Sequence, residues 1–115
     1  MIDGFIPKRG DVLWISLHPR SGCEQPGRLP ALVLSPLAYN RKVGHALFCP
    51  VTSRVKGYPF EVHLPDGLPV TGVILSDQLR SLDWRVRDYT LLCTVPVSVV
   101  GDVMALISLI LPQSE

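Results

Sequence analysis

The sequence predicts a mainly β fold, a small, partly open barrel with one C-terminal helix, and three features carry that prediction. The 11 prolines are about twice the average frequency for a chain this long, and they fall between apolar runs. Those runs are short and bounded by Gly, Pro, Asn or Asp. After Val95 the apolar spacing changes from strand-like to the three- and four-residue rhythm of a helix.

The strands are expected, in order, over 11–17, 31–35, 45–51, 60–64, 72–79 and 88–95. Only 60–64 alternates cleanly, so Glu61 and His63 should face water while Phe60, Val62 and Leu64 face the core. The others read as buried on both sides. Over 97–111 the residues Val99, Val100, Val103, Leu106, Ile107, Ile110 and Leu111 form a wide apolar arc against a narrow stripe of Ser98, Gly101, Asp102, Ala105 and Ser108. Two arrangements fit that arc: a helix sunk in the core, or one packed on the barrel with its outer side against a second copy.

The chain has 115 residues, 47% hydrophobic and 18% charged, which argues for one folded domain over 1–115 and against disorder. A charged fraction this low suggests that some apolar surface is covered by a partner, so an oligomer is expected. With 11 Lys and Arg against 10 Asp and Glu, the net charge of +1 provides no global field toward nucleic acid or membrane. The apolar stretch 95–111 carries Pro96, Gly101 and Asp102 and is shorter than the roughly 20 residues of a membrane span. The opening MIDGFIPKRGD has no secretory pattern, and three cysteines with no C-x-x-C pair favour neither a disulfide framework nor zinc. A cytoplasmic protein is expected.

Chemistry concentrates in irregular segments. His18 to Pro30 is the longest, carrying Arg20, Glu24 and Arg28, and it also fits a solvated connector. Thr52 to Pro59 sets three hydroxyl groups beside Arg54 and Lys56, a mixture suited to phosphate and base contacts or to a plain hairpin turn. Asp77 to Arg85 surrounds Trp84 with donors and acceptors, suited to reading bases, or to a core tryptophan with surface ion pairs. His18, His45 and His63 share no ligand spacing. No Walker, Rossmann, H-E-x-x-H or G-x-S-x-G pattern occurs, which disfavours metal, nucleotide and covalent-serine enzymes.

Several blocks in one order do carry a resemblance: Arg9-Gly10-Asp11, Gly22-Cys23-Glu24-Gln25-Pro26-Gly27, Pro30-Ala31-Leu32-Val33-Leu34-Ser35, Pro50-Val51-Thr52, Lys56-Gly57-Tyr58-Pro59-Phe60-Glu61-Val62 and Asp77-Gln78-Leu79-Arg80-Ser81-Leu82-Asp83-Trp84-Arg85. Through them the chain resembles the MazF/PemK family of toxins, from about Ile6 through the C-terminal helix. The resemblance implies an SH3-like barrel of the CcdB/MazF type with a C-terminal helix, a homodimer, and an antitoxin of the MazE kind that blocks the site. It also implies a metal-independent, cofactor-free endoribonuclease that cuts single-stranded RNA at short sequences, leaving a cyclic phosphate and a 5′-hydroxyl. A non-catalytic CcdB-like toxin and a degenerate chain that only binds RNA or antitoxin are the alternatives.

Carried over residue by residue, the loop glutamate that supports catalysis is Glu24, and the threonine near the scissile phosphate is Thr52. The family arginine directly precedes the loop proline, where this chain has Leu29, with Arg28 one place earlier. Neighbouring side chains of an extended segment point to opposite sides, so Arg28 is only a possible substitute. Either the chain is a variant that uses Arg28 or Lys56, or Leu29 is an inactivating substitution; a leucine in an otherwise polar loop favours the second. With so little net charge, RNA contacts must be local, from Arg28, Arg54, Lys56, Arg80 and Arg85, with Gln25, Ser53, Tyr58 and Gln78 beside them.

Overall fold

Proline and β-branched residues alternate along this chain too often for long helices, and strands dominate the result. The computed structural model describes residues 4–16 and 27–113. Its strands are β1 (Asp11–Ser16), β2 (Arg28–Val33), β3 (Ala46–Thr52), β4 (Glu61–His63), β5 (Val73–Leu75), β6 (Arg80–Leu82) and β7 (Tyr89–Thr94). They form one seven-stranded sheet in the order β4-β5-β3-β2-β1-β7, with β6 paired to β3. Every pairing is antiparallel. The ends β4 and β7 do not meet, so the sheet is open.

The longest ladder partner is β3, which changes neighbours along its length. Ala46–Phe48 pairs with β6, Phe48–Pro50 with β2, and Val51 and Thr52 with β5. Thr52 therefore stands where the strand leaves one set of neighbours and takes up another. Gly72 comes hard against this point: with φ +119, a Cβ there would overlap the carbonyl oxygen of Thr52. Only glycine lets the two backbones approach so closely.

Alternate residues of the central strands feed two cores. Val12, Leu32, Cys49, Val51 and Ile74 face one side, where α2 (Val97–Ile110) covers them with Val99, Val100 and Val103. Leu13, Ile15, Ala31, Val33 and Phe48 face the other, closed by Leu82 and Trp84. Each large aliphatic or aromatic side chain so buried contributes about 1.5–3 kcal/mol. Expected burial on both sides thus holds for β1 to β3. It fails for β7, where Thr90 and Leu91 are exposed because the strand is the sheet's edge.

Three further differences from the sequence reading have physical causes. The expected strand over 72–79 is broken: after β5 the chain makes a 3₁₀ turn at Ser76–Gln78 before β6 begins at Arg80. A second 3₁₀ turn, Trp84–Val86, starts where the Asp83 carboxylate accepts from the Arg85 N–H. A short helix, α1 (Leu37–Val43), joins β2 to β3 although no apolar period marks it; its one buried residue is Asn40. Asn40 donates to the carbonyls of Pro7 at 2.7 Å and Ser35 at 3.0 Å, and its Oδ1 accepts from the Ser35 hydroxyl. That buried amide pins the helix where apolar contacts do not.

The helix α2 is as expected to within a residue, and it is not sunk in the core. Val99, Val100 and Val103 are buried, whereas Val97, Met104, Leu109 and Ile110 are exposed, and so is Leu111 just beyond it. Ile110 and Leu111, placed by periodicity on the apolar arc, face outward because the barrel ends before them. No helix among the described residues is long and apolar enough to cross a membrane.

Candidate functional site

Beyond Thr52 the chain leaves the sheet and returns only at Glu61, the first residue of β4. The segment between them folds over the end of β3. The Thr52 Oγ1 accepts from the Arg54 N–H at 3.1 Å, an ST-type turn that starts the loop. The Glu61 carboxylate then reaches back along it, Oε2 accepting from the Lys56 N–H at 3.1 Å and Oε1 from the Gly57 N–H at 3.0 Å. Tyr58 donates its hydroxyl to Asp77 Oδ2 at 2.6 Å, tying the loop to the 3₁₀ turn after β5. Only the neutral phenol can donate that bond, and the nearby Asp77 charge also disfavours the phenolate, so the Tyr58 hydroxyl is held above its ordinary value of 10.0.

These residues enclose a cavity of about 260 Å³ with Thr52, Arg54, Lys56, Tyr58, Glu61, Asp77 and Gln78 in its wall. A second, wider cavity of about 630 Å³ begins on the far side of Thr52, Leu75 and Gln78, which belong to both. Arg28, Leu29, Pro30, Trp14 and Ser53 line it. One continuous concave surface therefore runs from Arg28 past Thr52 to Lys56 and Tyr58. It presents cations at both ends and neutral donors between, while the Glu61 and Asp77 carboxylates in the wall are engaged by the loop's own N–H and O–H donors. Such a surface suits an extended polyanion with unpaired bases.

Most of the residues expected to act together do share this surface: Thr52, Arg28, Leu29, Ser53, Arg54, Lys56, Tyr58 and Gln78. Arg28 is exposed at the start of β2, while the Leu29 side chain packs against the Leu13, Ile15 and Phe48 core. The two differ in burial, yet both border the wider cavity. The ladder pairs Ala31 with Pro50, and its register, continued by two residues, sets position 29 across from Thr52.

Glu24 and Gln25 lie outside the described residues. Arg80 and Arg85 line neither cavity. Arg80 pairs with Phe48, well back along β3 from Thr52. Arg85 stacks its guanidinium 5.2 Å from the Trp84 ring centroid and donates to the Arg41 carbonyl at 2.7 Å, capping the end of α1. Trp84 itself is buried in the second core, so it is no stacking platform. The expectation that Glu61 simply faces water is also corrected. It is half-buried, because its carboxylate turns back onto the loop.

Glu61 and Asp77 are the functional candidates that alternation and composition miss, since their roles depend on a loop that folds back in space. The Lys56-Gly57 pair four to five residues ahead of a glutamate is the one signal that could have found the first. Cys49 lies beneath this surface, donating to the Ser76 carbonyl at 3.7 Å; burial, and secondarily the Asp77 charge, push its thiol up to about 12. It is therefore a packing residue and no nucleophile. Among the described residues no three His, Cys, Asp or Glu side chains come together.

Comparison with known proteins gives the family. Residues 8–111 match the model of the family described as the PemK-like, MazF-like toxin of type II toxin-antitoxin systems. The endoribonuclease toxin MazF of Escherichia coli K12 is 47% identical over 90 residues, 78% of this chain and 80% of that protein. Endoribonuclease PemK of Escherichia coli is 36% identical, covering 90% and 81%. Among solved structures, a MazE-MazF crystal structure from Deinococcus radiodurans superimposes with a TM-score of 0.86 at 47% identity, covering 96% of this chain and all of that one. With its open sheet, its C-terminal helix and these relatives, the chain belongs to the PemK/MazF family of toxins of type II toxin-antitoxin systems.

Proposed function

We propose that the chain is an endoribonuclease toxin that cleaves single-stranded RNA at short sequences, on the surface running from Arg28 past Thr52 to Lys56. The observation that carries this reading is the setting of Thr52. Its hydroxyl stands at the end of β3 between Arg54 and Lys56 on one side and Arg28 on the other, in a chain 47% identical to an endoribonuclease.

Cleavage by the neighbouring 2′-hydroxyl needs a base for that hydroxyl, an acid for the leaving 5′-oxygen and donors for the crowded phosphorane. Thr52 Oγ1 already accepts from the Arg54 N–H, so its own proton is left to donate to a phosphate oxygen. Lys56 adds a point charge, and Glu24 is the proton-transfer candidate. Position 29, opposite Thr52, is where a guanidinium would grip two phosphate oxygens at once. Leucine offers no donor there, so the chain as it stands should be slow, with Arg28 contacting the RNA backbone. Gln78, Ser53 and Tyr58 face the bases, while Arg80 and Arg85 contribute little. The protein acts in the cytoplasm as a homodimer and is silenced by a cognate antitoxin, a partner represented by MazE in the Deinococcus radiodurans complex.

Incubating the chain and its Leu29→Arg variant with long single-stranded RNA in EDTA, and mapping the ends, tests the reading. Cyclic phosphates and 5′-hydroxyls at a recurrent short sequence are expected. RNA left intact by both proteins, or cleavage abolished by EDTA and restored by magnesium, would overturn it.

A further inference from the structure

The loop over 53–60 contains no strand or helix residue, yet Lys56 and Tyr58 reach the cavity beside Thr52 from it. Its middle is held by one side chain. The two oxygens of Glu61 accept the successive N–H groups of Lys56 and Gly57, while the Glu61 N–H donates to the Tyr58 carbonyl at 3.1 Å. Successive amides converging on one anion form a nest, and nests need a residue of left-handed backbone. Gly57 supplies it, with φ +79. A Cβ there would meet no atom within 4 Å, so it is backbone conformation and not space that calls for glycine.

The next residue back from Glu61 is fixed too: the Phe60 carbonyl accepts from the Ser76 N–H at 3.0 Å, and Tyr58 is bonded to Asp77. The loop is thus closed on itself by Glu61 and moored to the 3₁₀ turn. Among the described residues the Glu61 carboxylate makes no ion pair, and both its oxygens serve the loop. Each oxygen keeps a further lone pair, but a proton taken up by the carboxylate would weaken its hold on the Lys56 and Gly57 amides.

We propose that Glu61 is a positioning residue of the RNA site, whose carboxylate fixes the Lys56 and Gly57 amides so that the Lys56 ammonium is held at the phosphate path beside Thr52. This rests on the RNA-cleaving reading above. A loop ordered before RNA arrives spares the ordering cost at binding, which a free eight-residue charged loop would impose.

The test uses the full chain and a fluorescent 2′-O-methyl RNA decamer, which binds without being cut, with affinity measured across a salt series. Glu61→Gln keeps the shape but replaces one acceptor oxygen by a donor. It should weaken binding about tenfold, and the slope of log affinity against log salt should flatten by about 0.7, the value of one phosphate contact on a single strand. Lys56→Ala should do the same, and adding Glu61→Gln to it should cost less than about twofold more, the mark of two residues acting as one unit. Gly57→Ala, which attacks the nest from the backbone side, should reproduce Glu61→Gln if that variant folds poorly. An unchanged salt slope, or fully additive losses, would overturn the proposal. If the parent binds no RNA, the functional reading falls instead, and amide exchange decides the rest: Lys56 and Gly57 amides slowed in the parent and freed in Glu61→Gln support the nest, and fast exchange in the parent removes it.

Discussion

The Tyr58 hydroxyl donates to the Asp77 carboxylate at 2.6 Å, and this bond joins the loop after β3 to the turn after β5 across the mouth of the cavity beside Thr52. It spans 19 positions of sequence between two segments that share no ladder. Loop and turn are thus tied by this side-chain bond as well as by the Phe60–Ser76 backbone bond.

The bond has a pH signature. Tyr58 is held above 10.0 chiefly by this hydrogen bond, so the neutral phenol is the form the folded loop favours. For a group raised on folding, the stabilisation is complete below the unfolded value and is lost as pH climbs through the folded one. The latch should thus be intact at neutral pH and open in the alkaline range above 10. Difference spectrophotometric titration of the chain against Tyr58→Phe should give a midpoint above 10.0, moved down toward it by Asp77→Asn. The same midpoint with and without the Asp77 carboxylate would refute the assignment.

Asn40 predicts a stability effect far from the site. Its amide satisfies the Pro7 and Ser35 carbonyls, and its oxygen meets the Ser35 hydroxyl, which in turn accepts from the Leu47 N–H. Asn40→Ala should cost about 3 kcal/mol, because it strands buried polar groups as well as removing bonds. Urea unfolding measures this directly, and a loss under about 1 kcal/mol would show that water replaces the amide at no great cost.

The outer face of α2 predicts the assembly. Val97 is 87% exposed and Leu109 71%, more apolar surface than a small monomer usually leaves wet. Sedimentation at micromolar concentration should give twice the chain mass of 12.7 kDa, and Leu109→Arg should shift it toward the monomer. A monomeric parent chain would contradict this.

How far the sequence could be read depended on whether local pattern or distant contact decided each element. The helix α2 was legible because Val99, Val100, Val103, Leu106 and Ile107 recur at helical spacing and do pack on the core. The strands β1, β2 and β3 were legible from dense apolar runs. The helix α1 was not, since Asn40 holds it through hydrogen bonds that leave no apolar period. For Trp84 the sequence left a base-reading aromatic and a core tryptophan both open; the second core takes it, and Arg85 covers a ring face. Thr52, Lys56 and Tyr58 stand out through their motif, but Glu61 and Asp77, which bond the Lys56 and Gly57 amides and the Tyr58 hydroxyl, act through space, and only Glu61 has a local signal, the Lys56-Gly57 pair ahead of it. Where Arg85 would go depended on the position of α1, which was unseen.

The central claim is that RNA is cut at the Thr52 end of β3, and one substitution tests it most directly. Thr52→Val keeps the side-chain shape and removes the hydroxyl, leaving the exposed Arg54 amide to water. Cleavage of long single-stranded RNA in EDTA should be compared for the parent, Leu29→Arg, and Leu29→Arg with Thr52→Val. Restoring the donor at position 29 should raise the rate by roughly 10² or more, and removing the Thr52 hydroxyl should take back a factor of about 10 to 10² with little change in RNA affinity. Equal rates with and without the Thr52 hydroxyl, or robust cleavage by the parent that collapses on Arg28→Ala, would contradict the account.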